Sequence, residues 1–260
     1  MTLLLVVAHP DDETFGCGSV LARAAAAGVR SVVVCVSRGE AGLVRPGVPV
    51  PAEGLGALRE AELRSAAQVL GVAEVEVHDF GDSGMEGDPP PGSICATSQE
   101  VLTALVTQAV QRHQPTLVLA LSGDDGHRDH AHIRDAVLAA TSGSQIPVYL
   151  HCQARSVMHA WLRERDGDAR MLEYHALPAI GTPDEELTTI LDAHALLPVR
   201  LEAIAAHASQ RSPFEGLSGE LRERFLATDR LVRVVPPWGG GPVETELHGW
   251  GPPSSQSTER

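Results

Sequence analysis

The sequence predicts an α/β fold: a Rossmann-like, mainly parallel sheet with helices on both faces, plus a smaller C-terminal α/β portion. Three observations predict it. Short apolar or β-branched runs alternate with alanine- and leucine-rich segments of helical spacing through the first 150 residues. The first of those runs is continuously apolar rather than alternating, the pattern of a strand buried on both faces. Two of the helix-like segments close on a glycine, Gly28 and Gly71, where the chain leaves a helix without a Cβ clash.

Leu3–Ala8 is the first strand. After a turn, the alanine-rich Ser19–Ala27 is a helix that stops at Gly28. Arg30–Ser37 is β-branched and makes the second strand. Residues 41–56 carry Gly, Pro and Val without periodicity and form a loop. Ala57–Leu70 sets Leu58, Leu63, Ala66 and Leu70 at helical spacing. Val75–Phe80 is the third strand, followed by Gly81-Asp82-Ser83-Gly84 and the proline-rich Asp88–Gly92. Ser98 is an N-cap for a helix reaching Arg112. Thr116–Leu121 is the fourth strand; it runs into Ser122–His130, then a helix from about Ala131 to Ala140, then a fifth strand over Pro147–His151.

Beyond residue 152 the patterns weaken. Asp184–Leu191, Pro198–Ser209 and Gly219–Thr228 have helical spacing, and Leu231–Val235 is a further strand. The expected organisation is a single domain over 1–235 (core 1–151, C-terminal portion 152–235), with a Gly/Pro-rich, poorly ordered tail over 236–260.

Composition narrows the chemistry. The 260 residues are 43% hydrophobic and 21% charged, ordinary for a soluble globular chain. A net charge of −14 argues against nucleic acid or an anionic membrane as partner. All 20 basic residues are arginine, and there is neither lysine nor asparagine. Walker-type, Schiff-base and kinase lysines are therefore excluded, as is N-glycosylation. Cys17, Cys35, Cys95 and Cys152 lack CxxC spacing and are expected as reduced, mostly buried thiols of a cytoplasmic protein. The run Leu3–Ala8 is too short for a signal peptide, and no stretch approaches the roughly 20 apolar residues of a membrane span. A small-molecule partner is expected, and a homo-oligomer is left open.

In open parallel sheets, ligands bind outside the carboxyl ends of the strands at a topological switch point. His9-Pro10-Asp11-Asp12-Glu13 follows the first strand, and His127-Arg128-Asp129-His130 follows the fourth. In the common order 3-2-1-4-5 these strands are neighbours, so the two segments face each other. Two imidazoles and one carboxylate with an open fourth position make a zinc site of the catalytic kind. Zinc would lower the pKa of its bound water toward roughly 7 and polarise a carbonyl. The remaining carboxylate and histidine would serve as general base and general acid for an amide or ester. Either segment alone reads equally well as a helix cap or a solvated turn; the pair does not.

Ala8-His9-Pro10-Asp11-Asp12-Glu13, paired with His127-Arg128-Asp129-His130, resembles the PIG-L/LmbE-like family of zinc-dependent N-deacetylases. Ser37-Arg38-Gly39-Glu40-Ala41-Gly42, Asp82-Ser83-Gly84-Met85 and His207-Ala208-Ser209-Gln210 agree, and the resemblance spans about residues 3–235. It implies His9, Asp12 and His130 as zinc ligands and Asp11 as general base. It implies His127 as the group that stabilises the oxyanion or protonates the leaving amine, with Asp129 orienting its ring. Arg59 and Asp82 match positions that contact the sugar; as plain structure, Arg59 would pair with Glu62 and Asp82 would cap a turn. Glu13 is expected as a supporting or capping carboxylate and His207 as structural.

Two departures stand out. Arg128 replaces a common proline, which would alter charge near the mouth, and Asp125 stands where mycothiol-type members carry a tyrosine that polarises the carbonyl. The expected activity is zinc-dependent removal of an N-acyl group, such as acetyl, from a glucosamine-type sugar in a small thiol or secondary metabolite. The alternatives are an amidase for larger conjugates and a metal- and sugar-binding protein without turnover.

Overall fold

A computed structural model of the chain describes residues 1–165, 180–248 and 250. The strands are β1 (Thr2–Val7), β2 (Arg30–Ser37), β3 (Glu74–Phe80), β4 (Leu117–Leu121), β5 (Val148–Cys152), β6 (Thr189–Asp192) and β7 (Thr228–Val235). The helices are α1 (Asp12–Phe15), α2 (Gly18–Ala26), α3 (Leu55–Val69), α4 (Gln99–His113), α5 (Arg128–Ala140), α6 (Arg155–Glu164), α7 (Leu197–Ala206) and α8 (Gly219–Leu226). All seven strands form one sheet of order β3-β2-β1-β4-β5-β7-β6. The first five are parallel, and β7 runs antiparallel to both β5 and β6. The order expected for the first five strands is the one observed. It reverses direction between β1 and β4, which pair from Leu3↔Leu117 to Val6↔Ala120.

Strand periodicity sorts the core into two layers. Leu3, Leu5, Val7, Val33 and Cys35 face α2 and α3 through Val20, Leu21, Leu63, Ala66 and Leu70. Leu4, Val6, Val32, Val34 and Val36 face the other way, onto Leu102, Val106, Ile133 and Val137 of α4 and α5. A third cluster gathers Met158, Trp161, Phe214, Leu221 and Phe225 from the C-terminal portion. Cys17, Cys35 and Cys152 are buried, Cys95 is partly so, and all four are free thiols. Among the described residues no helix is long and apolar enough to cross a membrane.

Three expectations are corrected. Asp184–Leu191 is not a helix: a single 3₁₀ turn at Asp184–Glu186 leads into β6, because Thr189 and Ile190 pair with Leu231 and Arg230 of β7. Tertiary pairing there outweighs local spacing. The helix after β4 begins at Arg128 rather than Ala131, so His130 stands on its first turn. The stretch after Pro236 is not wholly a loose tail. Ile190 donates its backbone N–H to the Glu244 carbonyl (2.8 Å), and Glu244 donates to the Thr188 carbonyl (2.8 Å), closing the edge of β6. Leu247 is buried as well; residues 251–260 lie outside the described residues.

Arg200 of α7 joins the C-terminal portion to the first loop. It is fully buried and donates to the carbonyls of Phe15 (2.7 Å) and Gly16 (3.0 Å), to Ser19 Oγ (3.0 Å) and to Asp229 Oδ1 (3.2 Å). Removing one partner of a buried ion pair strands the other. Arg200→Ala is therefore expected to lower the unfolding free energy by about 3–5 kcal/mol in urea denaturation. His151, at the end of β5, is 4% exposed, and burial together with Arg200 and Arg230 pushes its pKa down to about 3. The folded chain keeps this ring neutral while the unfolded chain protonates it near the ordinary value of 6.5. Its share of stability is complete above that value and falls away as pH drops toward 3. In His151→Gln, the decline of urea midpoint over that window should be shallower.

Candidate metal and active site

β1 delivers its last residues to the sheet edge and the chain turns at once. His9 donates its backbone N–H to Asp12 Oδ2 (2.8 Å), which folds the turn back on itself. The turn carries Asp11 at φ 113°, ψ −27°, a left-handed conformation that costs a non-glycine residue energy unless neighbours enforce it. Here they do. The Asp11 backbone N–H donates to Glu13 Oε2 (2.9 Å), and Arg59 Nη2 lies 3.0 Å from Asp11 Oδ2. Arg59 also donates to the Gly39 carbonyl (2.5 Å) and to that of Pro10. Glu13 is wholly buried and is held by Thr14 Oγ1 (2.5 Å) and by His207 Nε2 (2.7 Å).

Across the crevice, β4 ends at Leu121 and His127 is the N-cap of α5. Its Nδ1 accepts the Asp129 backbone N–H (3.2 Å). One turn on, His130 sets Nδ1 against Asp125 Oδ2 (2.6 Å) and Nε2 3.2 Å from Asp12 Oδ1. Ring centroids of His9 and His127 are 4.5 Å apart, those of His9 and His130 5.3 Å. The candidate ligand atoms of His9, His127 and His130 all lie within 4.8 Å of one another, as do those of His9, Asp82, His127 and Asp129.

The charges of the cluster are tightly interlocked. Burial opposes charge on His9, yet hydrogen bonds to Asp12 and Asp129 carry its pKa up to about 9. His130 is likewise raised against burial, by Asp12 and Asp125. Asp12 is held well below the usual carboxylate range, against burial, by His130 and His9. Burial lifts Asp11 to about 6, with Arg59 pulling the other way. Burial, with the charges on His9 and His130, pushes His127 down to about 4.

The donor set fits a divalent cation. Imidazoles and carboxylates from two strand ends converge, and the buried His130 Nε2 faces Asp12 Oδ1 at 3.2 Å as an ion pair without a well-aligned hydrogen bond. Protons on His9 and His130 balance the carboxylates here; a cation would replace them.

Of the expected ligands, His9 and His130 cluster with His127, and Asp12 lies 3.5 Å from His9 Nδ1 and 3.2 Å from His130 Nε2. Asp129 differs from expectation. Its carboxylate does not orient His127: Oδ2 faces His9 Nε2 (3.1 Å) and accepts from Ser83 N (2.9 Å), and Oδ1 accepts from the Cys95 thiol (3.0 Å). Arg59 is 3% exposed and bound to Asp11, Pro10 and Gly39, so it positions the Asp11 loop instead of meeting a ligand. Nor does it pair with Glu62, whose carboxylate holds Ser209 (2.6 Å). Asp82 does more than cap its turn: Oδ1 accepts from Gly84 N (2.8 Å) and lies 3.6 Å from His9 Nε2. Arg128 turns from the mouth and donates to the carbonyls of Ser83, Gly84 (2.8 Å) and Gly87 (2.7 Å), fastening the loop that carries Asp82. Sequence reasoning missed Asp125 as the partner of His130, and Cys95 and Ser83 as partners of Asp129. The i, i+5 spacing of Asp125 and His130 across a helix start was the only local signal.

Comparison with known proteins identifies the family. A family model described as "PIG-L: GlcNAc-PI de-N-acetylase" matches residues 4–141. A 1D-myo-inositol 2-acetamido-2-deoxy-alpha-D-glucopyranoside deacetylase of Saccharopolyspora erythraea is 33% identical over 80% of this chain and 77% of its own length. Among solved structures, the N,N'-diacetylchitobiose deacetylase of Pyrococcus horikoshii aligns with a TM-score of 0.59 at 21% identity, over 90% of this chain and 84% of that one. GalB, the 4-carboxy-2-hydroxymuconate hydratase of Pseudomonas putida, aligns with a TM-score of 0.58 at 22% identity, over 93% and 99%. One architecture therefore carries both an amide hydrolase and a hydratase, and fold alone does not choose between them. The matched segment spans more than half the chain and contains both His/Asp motifs, and the chain belongs to the PIG-L family.

Proposed function

We propose that the chain hydrolyses the N-acyl group, in the simplest case N-acetyl, of a glucosamine-type sugar carried by a small thiol or secondary metabolite, with zinc as its ion. The observation that carries this reading is the gathering of His9 and His130 around Asp12, at 3.5 and 3.2 Å, beside a buried carboxylate, Asp11. The named activity of the Saccharopolyspora relative supports the amino-sugar class.

His9, Asp12 and His130 would hold the ion, which when bound polarises a carbonyl and acidifies a water. Asp11 takes the proton of the attacking water. Arg59 fixes its Oδ2, and burial keeps the carboxyl near 6, a strength suited to a base at neutral pH. Because His127 Nδ1 accepts the Asp129 backbone N–H, the proton of the neutral ring sits on Nε2. That N–H is a donor for the oxyanion of the tetrahedral intermediate. A ring with a pKa near 4 carries no spare proton at pH 7, so Asp11 returns the proton it took to the departing amine. Asp125, an ionised acceptor, does not replace the tyrosine of mycothiol-type members as a carbonyl polariser. It buttresses His130 instead.

Metal analysis of the purified protein, followed by a panel of N-acyl glucosaminides assayed for free amine, tests the reading; amine release without metal dependence would overturn it. Asp11→Asn should retain zinc and lose about 10²–10⁴ in kcat. Asp125→Ala should weaken zinc binding about 10- to 100-fold in competition with a chelating dye. An unchanged zinc affinity would remove Asp125 from the metal's support.

A further inference from the structure

Beside the metal ligands lies a cavity of about 300 Å³ that reaches Asp11, Asp12, His127 and His130 at one end. Its apolar face is made by Phe15, Leu121, Met158, Trp161, Phe214 and Phe225. These side chains come from α1, β4, α6, the 207–218 loop and α8, and they pack on one another: Phe15 and Phe214 at 6.0 Å between centroids, Phe214 and Phe225 at 5.5 Å. The indole N–H of Trp161 is turned out of the cavity wall onto the Pro213 carbonyl (3.1 Å), so its polar atom is satisfied elsewhere. Away from the His/Asp cluster, the buried Gln153 Oε1 in the wall has no hydrogen-bond partner. Neither Arg59 nor Asp82 lies on this wall.

Ser122, Asp125, His151, Gln153 and Arg211 also line the cavity, but its aromatic and aliphatic side chains form one packed face that a sugar's hydroxyls would not satisfy. An acetyl methyl would leave most of the apolar surface against water, at a cost that scales with its area. A volume at the lower end of ligand pockets suits one apolar branch of a substrate whose polar part lies outside. Because the cavity opens directly on the residues that would hold the carbonyl, the branch it receives is the acyl side of the amide. Resting on the amide-hydrolase reading above, we infer that this chain prefers amides whose acyl group is an apolar chain of several carbons over acetamides. Gln153 Oε1 accepts a hydrogen bond from an N–H or O–H of the same ligand and so orients it.

The test compares N-acetyl- and N-hexanoyl-glucosamine with the same aglycone on the zinc-loaded enzyme, reading amine release, and reads binding of each by Trp161 fluorescence. Hexanoyl should exceed acetyl at least tenfold in kcat/KM, since even a single methylene in an apolar pocket is worth about 10-fold or more. In a Trp161→Ala, Phe214→Ala double variant that ratio should collapse toward one. A wild-type ratio of one or less overturns the inference while leaving hydrolysis intact. Tighter binding of the hexanoyl compound with no cleavage of either overturns hydrolysis and upholds the cavity as an acyl site. Absence of both cleavage and chain-length dependence overturns both.

Discussion

The site depends on a backbone that does not rest where it would if left alone. Asp11 sits at positive φ because its N–H is captured by Glu13 and its carboxylate by Arg59. That turn folds His9 back onto Asp12 and leaves both Asp11 and Asp12 lining the cavity. Strain of this kind persists where surroundings over-determine it. The surroundings are drawn from far along the chain: Arg59 from α3, His207 just past α7, and beneath them Glu62 holding Ser209.

The electrostatics follow from the same crowding. Five carboxylates (Asp11, Asp12, Asp82, Asp125 and Asp129) and three imidazoles are packed together, and each charge is tolerated because another answers it. Asp12 and Asp125 grip opposite nitrogens of His130, while Asp129 and Asp12 grip His9. Such a cluster is poorly suited to a neutral ligand and well suited to a cation.

Much of this was legible in the sequence. Continuous apolar runs such as Leu3–Ala8 and Arg30–Ser37 announce buried parallel strands, and the strand order brings the two His/Asp segments together from pattern alone. Where the sequence misled, contacts distant in the chain decided. Thr189 and Ile190 became a strand because β7 was there to pair with them. Asp129 turned to His9 rather than His127 because Ser83 and Cys95, more than thirty residues away, hold it there. Arg59 carries the right residue type for a sugar contact, but Asp11 and Pro10 of the first loop and the Gly39 carbonyl after β2 claim its guanidinium first.

The bond between Glu13 and His207 spans 194 positions. During synthesis a ribosome therefore releases His9, Asp12 and His130 well before it makes the histidine that holds Glu13 and, through it, the Asp11 turn. A nascent or truncated chain ending before that point would own the means to capture an ion but lack the latch that shapes its reactive turn.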